Sequence, residues 1–137
     1  MSDFVNSCNA PEPVGHYPHA KKVGGLLFLS GVGPRKRGSK TIPGVSLSKD
    51  GDIISYDISK QCVSVFENIK LILEEAGSSW DNIVDVTVFL TNMKDDFKTY
   101  NKLYGQYFSG PFPTRTTVEV LSLPTPIAIE LKVTATI

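Results

Sequence analysis

A regular stripe of apolar side chains between residues 58 and 76 is the feature that most constrains the fold of this chain. Its members recur at spacings of three and four residues, which is the period of one face of an α-helix. Asp57 precedes the stripe as a predicted N-cap, and Gly77 follows it as a predicted helix end. Such a helix buries its apolar face against a second layer. The stripe consists of Ile58, Cys62, Val65, Phe66, Ile69, Ile72, Leu73 and Ala76.

The remaining apolar segments predict the partners of that helix. Their order is strand, long loop, helix, strand, helix, strand, strand. Two helices cover only one face of a sheet, so the predicted fold class is α+β, a two-layer sandwich with a mixed sheet and both helices on one face. An uncovered, partly apolar sheet face favours an oligomer. The predicted strands are 26–29, 84–90, 114–122 and 127–133, the second helix is 95–108, and chain reversals are predicted at 42–44 and 50–51.

Length and composition indicate one domain that spans residues 1–137. The chain has no apolar run near the roughly 18 residues that a membrane helix needs. Its N-terminus lacks a basic start followed by an apolar stretch, so we expect no secretory signal, no membrane association and a cytoplasmic location. Cys8 and Cys62 form no C-x-x-C pair, and we expect Cys62 to be a buried thiol.

The net charge of zero conceals a segregation of charge along the chain. A neutral total argues against nucleic acid as a partner. The acid-free segment between Pro13 and Lys49 could hold a small anion, or it could be a solvated loop. Its basic residues are Lys21, Lys22, Arg35, Lys36, Arg37, Lys40 and Lys49. The acids of the next segment, Asp50, Asp52, Asp57, Glu67, Glu74, Glu75, Asp81 and Asp85, are opposed by Lys60 and Lys70.

Several common kinds of site are disfavoured by the residues present. Gly31 and Gly33 lie in a G-V-G-P turn that lacks the third glycine of a dinucleotide loop. His16 and His19 lie in a proline-interrupted loop without a nearby third ligand, so surface or structural roles are favoured over a metal site. Neither histidine has the context of a catalytic base beside a nucleophilic serine.

Arg115 and Glu130 are the remaining candidates for chemistry. Arginine binds a carboxylate through two hydrogen bonds, and a carboxyl group moves protons or positions water. We expect their two strands to pair antiparallel across a proline turn, which places Arg115 opposite roughly Thr134 rather than Glu130. Three interpretations remain open: an irregular turn that joins the two residues, an arginine from another subunit, or two solvated residues at the rim of the sheet.

The residues around these two candidates resemble a known family. The segments Pro113-Thr114-Arg115-Thr116-Thr117-Val118-Glu119-Val120, Leu123-Pro124 and Ile129-Glu130-Leu131 are similar to the C-terminal signature of the RidA/YjgF family of imine and enamine deaminases. Shorter similarities occur in the same order at Asn9-Ala10-Pro11, Gly15, Tyr17, Ser30-Gly31, Asp96-Phe97 and Asn101. The resemblance implies a chorismate-mutase-like fold, a homotrimer and active sites in the clefts between subunits.

The resemblance also implies roles for individual residues. Arg115 would bind the substrate carboxylate, and Glu130 would orient or activate the hydrolytic water. The backbone at Gly31 and Thr117 and the side chain of Tyr17 would line the cleft. Asn101 matches a further substrate-binding position. Thr117 stands where many members have cysteine, so no thiol role is implied; no cofactor or metal is implied either.

Within the family, the pattern most resembles the 2-aminomuconate deaminase subgroup. It includes Val32-Gly33-Pro34-Arg35, residues 89–97 and residues 123–130. The implied reaction converts 2-aminomuconate to 2-oxohex-3-enedioate and ammonia, with Arg35 as the candidate for the second carboxylate and Lys36 and Arg37 as weaker ones. Two alternatives remain: general deamination of small imines such as that from 2-aminoacrylate, and a non-catalytic ligand-binding, regulatory or RNA-acting protein.

Overall fold

The computed structural model describes residues 3–137, and the predicted amphipathic helix is its longest element. Helix α1 spans Ile58–Glu75, and every member of the predicted stripe is buried. The Asp57 carboxylate accepts hydrogen bonds from the amides of Ser59 and Lys60. Gly77 ends the helix with a φ of 83°, as predicted from its freedom at positive φ.

Helix α1 packs on a six-stranded mixed sheet. The strands of residues 3–137 are β1 (Phe4–Val5), β2 (Ala20–Val23), β3 (Leu26–Leu29), β4 (Val45–Leu47), β5 (Ile53–Tyr56), β6 (Ile83–Leu90), β7 (Thr114–Glu119) and β8 (Ile129–Thr136). The spatial order in the sheet is β1-β2-β3-β8-β6-β7. Among these described strands only β6 and β7 pair parallel, and all other neighbours are antiparallel. A separate hairpin of β4 and β5 lies between β3 and α1 in the chain.

Helix α2 (Met93–Tyr107) packs beside α1 and completes the helical layer on one face of the sheet. Asn92 caps it by accepting a hydrogen bond from the amide of Asp95. The helical faces and the inward residues of the strands form one core. Phe66 of α1 lies edge-on to Trp80 and Tyr104, so aromatic rings join the two helices. The predicted α+β class, two helices and mixed sheet are confirmed.

The predicted antiparallel pairing of the last two strands is wrong. β6 lies between β7 and β8 and pairs with both. Residues 120–128 are too irregular for a hairpin and instead cross the end of β6. There the amide of Val120 donates to the Leu90 carbonyl, and the amide of Thr91 donates to the Ala128 carbonyl. β7 ends at Glu119 and β8 begins at Ile129, so both strands have bounds different from those predicted.

The segment between β3 and α1 contains the predicted reversals. The amide of Val45 donates to the Ile42 carbonyl, and the amide of Gly51 donates to the Ser48 carbonyl. β4 and β5 pair across the second turn. These two short strands, like β1 and β2, carry too few residues for periodicity to predict them. Among residues 3–137, no helix is long and apolar enough to cross a membrane.

Gly44 lets the hairpin approach the start of α1, and we predict that Gly44→Ala destabilises the fold. A Cβ at this position would lie 2.6 Å from the Asp57 carbonyl oxygen, and φ is 73°. Gly38 provides a matched control because its φ is 71° and its Cβ would meet open space. In urea denaturation, Gly44→Ala should lower the free energy of unfolding by roughly 1–3 kcal/mol more than Gly38→Ala. Equal losses would contradict the close contact.

Candidate active site

A cavity lies where the N-terminal segment, the turn after β3 and strand β8 converge. Its volume is about 410 Å³, within the range of small-molecule sites. Glu130 and Gly31 lie in its wall together with residues from the loop before β8. The lining residues are Val14, Tyr17, Ser30, Gly31, Gly33, Arg35, Pro124, Thr125, Ile127, Glu130 and Lys132.

Glu130 is a half-buried carboxyl on the sheet face that the helices leave uncovered. It pairs with Phe89 across β6–β8, whereas the neighbouring Leu131 points into the core. Burial raises the pKa of Glu130, and the positive charge of Arg35 opposes that rise. Glu130 therefore keeps its proton to a higher pH than an exposed glutamate. A carboxyl in this state suits the exchange of protons with a bound molecule.

Gly31 is held directly against the Glu130 side chain. A Cβ on Gly31 would lie 2.7 Å from Oε2 of Glu130. The adjacent residue Val32 fixes this approach: its amide donates to the Leu131 carbonyl at 2.8 Å, and the Leu131 amide donates back to the Val32 carbonyl at 2.9 Å. The absence of a side chain at Gly31 thus leaves room for the carboxyl and exposes backbone to the cavity.

Tyr17 forms another part of the wall and remains 39% exposed. Its hydroxyl accepts a hydrogen bond from the Val14 amide at 3.1 Å. His19 anchors the same segment: Nδ1 accepts from the Ser7 amide, and Nε2 donates to the Pro11 carbonyl. His19 is therefore a buried structural histidine, as the sequence favoured.

Arg35 enters the same cavity from the loop after β3. Its Nη2 donates to the Glu12 carbonyl at 2.7 Å, and Asn68 of α1 donates to the Arg35 carbonyl at 2.8 Å. The two weaker candidates lie elsewhere. Arg37 forms an ion pair with Glu12 and donates to backbone carbonyls of the N-terminal segment. Lys36 lines a separate groove beside α1.

The other predicted site residues form a second cluster at the β7 edge of the sheet. Nη1 of Arg115 donates to Oδ1 of Asn101 at 2.9 Å. The guanidinium carbon lies 4.7 Å from the ring centre of Tyr104, a cation–π distance. Thr117 and Tyr100 join their hydroxyl groups at 2.9 Å. The hydrogen bond to Asn101 and the contact with the Tyr104 ring orient the Arg115 guanidinium, which carries five N–H donors.

The two clusters lie on opposite faces of the sheet within one chain. Arg115 pairs with Val86, whose side chain faces the helices, whereas Glu130 pairs with Phe89, whose side chain points the other way. The first of the three open interpretations, an irregular turn that joins Arg115 to Glu130, is therefore wrong. Tyr17, Gly31, Arg35 and Glu130 share one cavity; Asn101, Arg115 and Thr117 share the other cluster.

Sequence reasoning missed three polar residues of the cavity: Ser30, Thr125 and Lys132. Ser30 donates through its hydroxyl to the Pro18 carbonyl, and Lys132 donates through Nζ to the Leu29 carbonyl. Lys132 could have been found, because the two-residue period of a strand places it on the same face as Glu130. Within residues 3–137, no group of three or more His, Cys, Asp or Glu side chains is placed to hold a metal ion.

Comparison with known proteins places the chain in a family. The family model described as Endoribonuclease L-PSP matches residues 7–137. A RutC family protein of Pyrococcus horikoshii is 38% identical over 135 residues, or 98% of each chain. Reactive Intermediate Deaminase A, chloroplastic, of Arabidopsis thaliana is 33% identical over 98% of this chain and 66% of the relative. The structure of E. coli TdcF with bound serine has a TM-score of 0.83 at 30% identity, with 98% of both chains covered.

The chain therefore belongs to the endoribonuclease L-PSP family, which includes the RutC and RidA/YjgF proteins. The family resemblance seen in the sequence is confirmed. The narrower resemblance to 2-aminomuconate deaminases stays a prediction.

The raised pKa of Glu130 predicts a pH-dependent stability. The folded chain holds this proton more tightly than the unfolded chain, so stability is lost as pH rises from the ordinary value of 4.5 through the folded pKa. Glu130→Gln should therefore be more stable than the wild type at pH 7, with a difference that shrinks toward pH 4. Urea denaturation at fixed protein concentration measures the free energy of unfolding of the wild type and of Glu130→Gln at each pH.

Glu74→Gln is the control for this prediction because Glu74 is an exposed carboxyl on α1. It should give a difference from the wild type that stays small across the same pH range. A Glu130→Gln difference that did not vary with pH would contradict the burial of an ionisable group at this position.

Proposed function

We propose that this protein is a hydrolytic deaminase of 2-imino and 2-enamino carboxylates. The observation that carries the proposal is Glu130, a half-buried carboxyl with a raised pKa in a cavity that admits a small molecule and water. Two relatives support it. One is named Reactive Intermediate Deaminase A, and the other contains bound serine, a small molecule whose nitrogen and carboxylate are attached to the same carbon, as they are in a 2-imino acid.

The reaction requires only water and proton transfers. An enamine first tautomerises to its imine: its carbon gains a proton and its nitrogen gives one up. Glu130 then donates a proton to the imine nitrogen and takes one from the attacking water, which leaves a carbinolamine. Glu130 next donates its proton to the amine of the carbinolamine. The Glu130 carboxylate that results takes the proton of the carbinolamine hydroxyl. The carbon–nitrogen bond breaks, a ketone and ammonia leave, and Glu130 ends protonated. No electrons are transferred, so no oxidant or reductant is consumed.

The substrate carboxylate needs a cation, and we propose Arg115 from a neighbouring subunit. Within one chain, Arg115 and Glu130 lie on opposite sheet faces. A homotrimer, as the family resemblance implies, would let the β7 edge of one subunit approach the cavity of the next. Thr117 and Asn101 would then enter the site with Arg115, Asn101 as its hydrogen-bond partner. This arrangement explains why a fixed arginine and a proton-carrying carboxyl occur at separate places.

We predict that Arg115→Ala and Glu130→Gln are each nearly inactive but restore activity when mixed. Loss of the arginine should lower kcat/KM by about 100-fold, because a carboxylate loses its charged partner. Loss of the carboxyl should lower kcat by about 100-fold or more. The measurement is release of 2-oxobutanoate from 2-iminobutanoate generated by an amino acid oxidase. Refolding an equimolar mixture of the two variants should restore about one quarter of the sites if subunits assort randomly.

The controls separate a shared site from other causes. Each variant refolded alone should stay inactive, and a double variant refolded with an equal amount of wild type should leave about one quarter of the sites intact, which is half the wild-type share. If light scattering shows trimers in the mixture of the two variants but activity does not recover, the shared site is contradicted. Normal activity of Arg115→Ala and Glu130→Gln would contradict the whole site assignment.

A second candidate substrate is 2-aminomuconate, and the position of Arg35 in the Glu130 cavity favours it. This substrate carries two carboxylates, so it needs a second cation besides Arg115. Arg35→Ala should raise KM for 2-aminomuconate about tenfold more than KM for 2-iminobutanoate. The decay of 2-aminomuconate absorbance measures the deamination of 2-aminomuconate.

Lys36→Ala is the control, since Lys36 lines a different groove. Equal effects of Arg35→Ala on both substrates would remove Arg35 from the distal carboxylate. Efficient turnover of 2-iminobutanoate with none of 2-aminomuconate would favour the general imine deaminase. A trimer that bound 2-oxo acids without turning over either imine would instead be a ligand-binding or regulatory protein.

A further inference from the structure

We propose that Lys132 binds a second anionic group of the substrate, so that the site prefers imino acids with two carboxylates. The inference rests on the proposed deaminase function and adds a residue and a substrate class to it. Lys132 lies in the cavity wall together with Glu130 and Arg35.

The strand geometry directs Lys132 toward the substrate. Lys132 follows Glu130 by two positions in β8, so both side chains leave the same face of the sheet about 7 Å apart along the strand. The Lys132 ammonium donates one hydrogen bond, to the Leu29 carbonyl at 2.8 Å. An ammonium has three protons, and two therefore remain for a ligand. Lys132 is exposed, and the hydrogen bond to Leu29 fixes where its ammonium lies beside the cavity.

The balance of charge in the cavity favours an anion. Its lining contains two cations, Arg35 and Lys132, and one carboxyl, Glu130, which burial shifts toward its protonated form. Across residues 3–137, the ion pair within 4 Å joins Arg37 to Glu12 and includes neither cavity cation. A substrate with a single carboxylate, bound by Arg115, would leave both cations facing water.

Lys132 and Arg35 are anchored at different points and act differently on Glu130. Arg35 is tied to the Glu12 carbonyl, and its charge acts directly on the Glu130 carboxyl. Lys132 is tied to the end of β3 and is not among the charges that shift the pKa of Glu130. The two cations are therefore held by separate backbone contacts, so that Lys132 can bind a carboxylate independently of Arg35.

The test compares the binding of two 2-oxo acids, the products of the proposed reaction, by titration calorimetry. 2-Oxoglutarate carries two carboxylates and 2-oxobutanoate carries one. The wild type should bind 2-oxoglutarate more tightly. Lys132→Met should weaken 2-oxoglutarate binding about tenfold more than 2-oxobutanoate binding, because a charge-assisted hydrogen bond is lost. Lys132→Arg should restore most of the preference, and the preference should decrease as salt is added.

Lys70→Met is the matched control, since Lys70 is an exposed lysine on α1 outside the cavity. It should leave the preference unchanged, and thermal unfolding of every variant checks the fold. Equal losses for the two acids in Lys132→Met, no loss, or no binding of either acid by the wild type would overturn the inference. The proposed function fails separately: absence of imine turnover with an intact 2-oxoglutarate preference would leave Lys132 as an anion contact in a binding protein.

Discussion

The pairing of β6 with both β7 and β8 is the constraint on which the rest of the structure depends. Because β6 lies between β7 and β8, these two strands do not pair with each other. The alternation along each strand then decides which face of the sheet its side chains take. Arg115 lies on the sheet face that the helices cover, where it contacts Asn101 and the ring of Tyr104. Glu130 lies on the open face. One chain thus carries both groups that the chemistry needs but keeps them apart. A site that uses both residues would therefore need the open sheet face of one subunit and the β7 edge of another.

The cavity around Glu130 balances two opposed effects on one proton. Burial disfavours the carboxylate, and the charge of Arg35 favours it. A carboxyl held fully in the charged form would not take up a proton, and one held fully in the neutral form would not release one. The close approach of Gly31 adds backbone on one side without filling the space. In the proposed reaction Glu130 alternates between acid and base within one turnover, and such a balance suits that role.

Local patterns predicted the elements that are defined by nearby residues. The stripe, Asp57 and Gly77 determined α1 because caps and periodicity act within a few residues. The order of β7, β6 and β8 was mispredicted because strand pairing depends on contacts distant in sequence, and a proline-rich connection resembles a hairpin turn. Lys132 was overlooked for a different reason. The two-residue period predicts its face, but only the fold shows that this face borders a cavity.

The segregation of charge along the sequence brings positive charge to the cavity in the folded chain. The acid-free segment after Pro13 runs past the cavity and brings Arg35 to it, and β8 adds Lys132 from the far end of the chain. The acids of the next segment lie mainly on the hairpin and α1, and Asp57 is used as a helix cap. A chain with no net charge can therefore contain a site of net positive charge. The proposed selectivity for anions would depend on this local field over a few ångströms, since salt screens more distant charges.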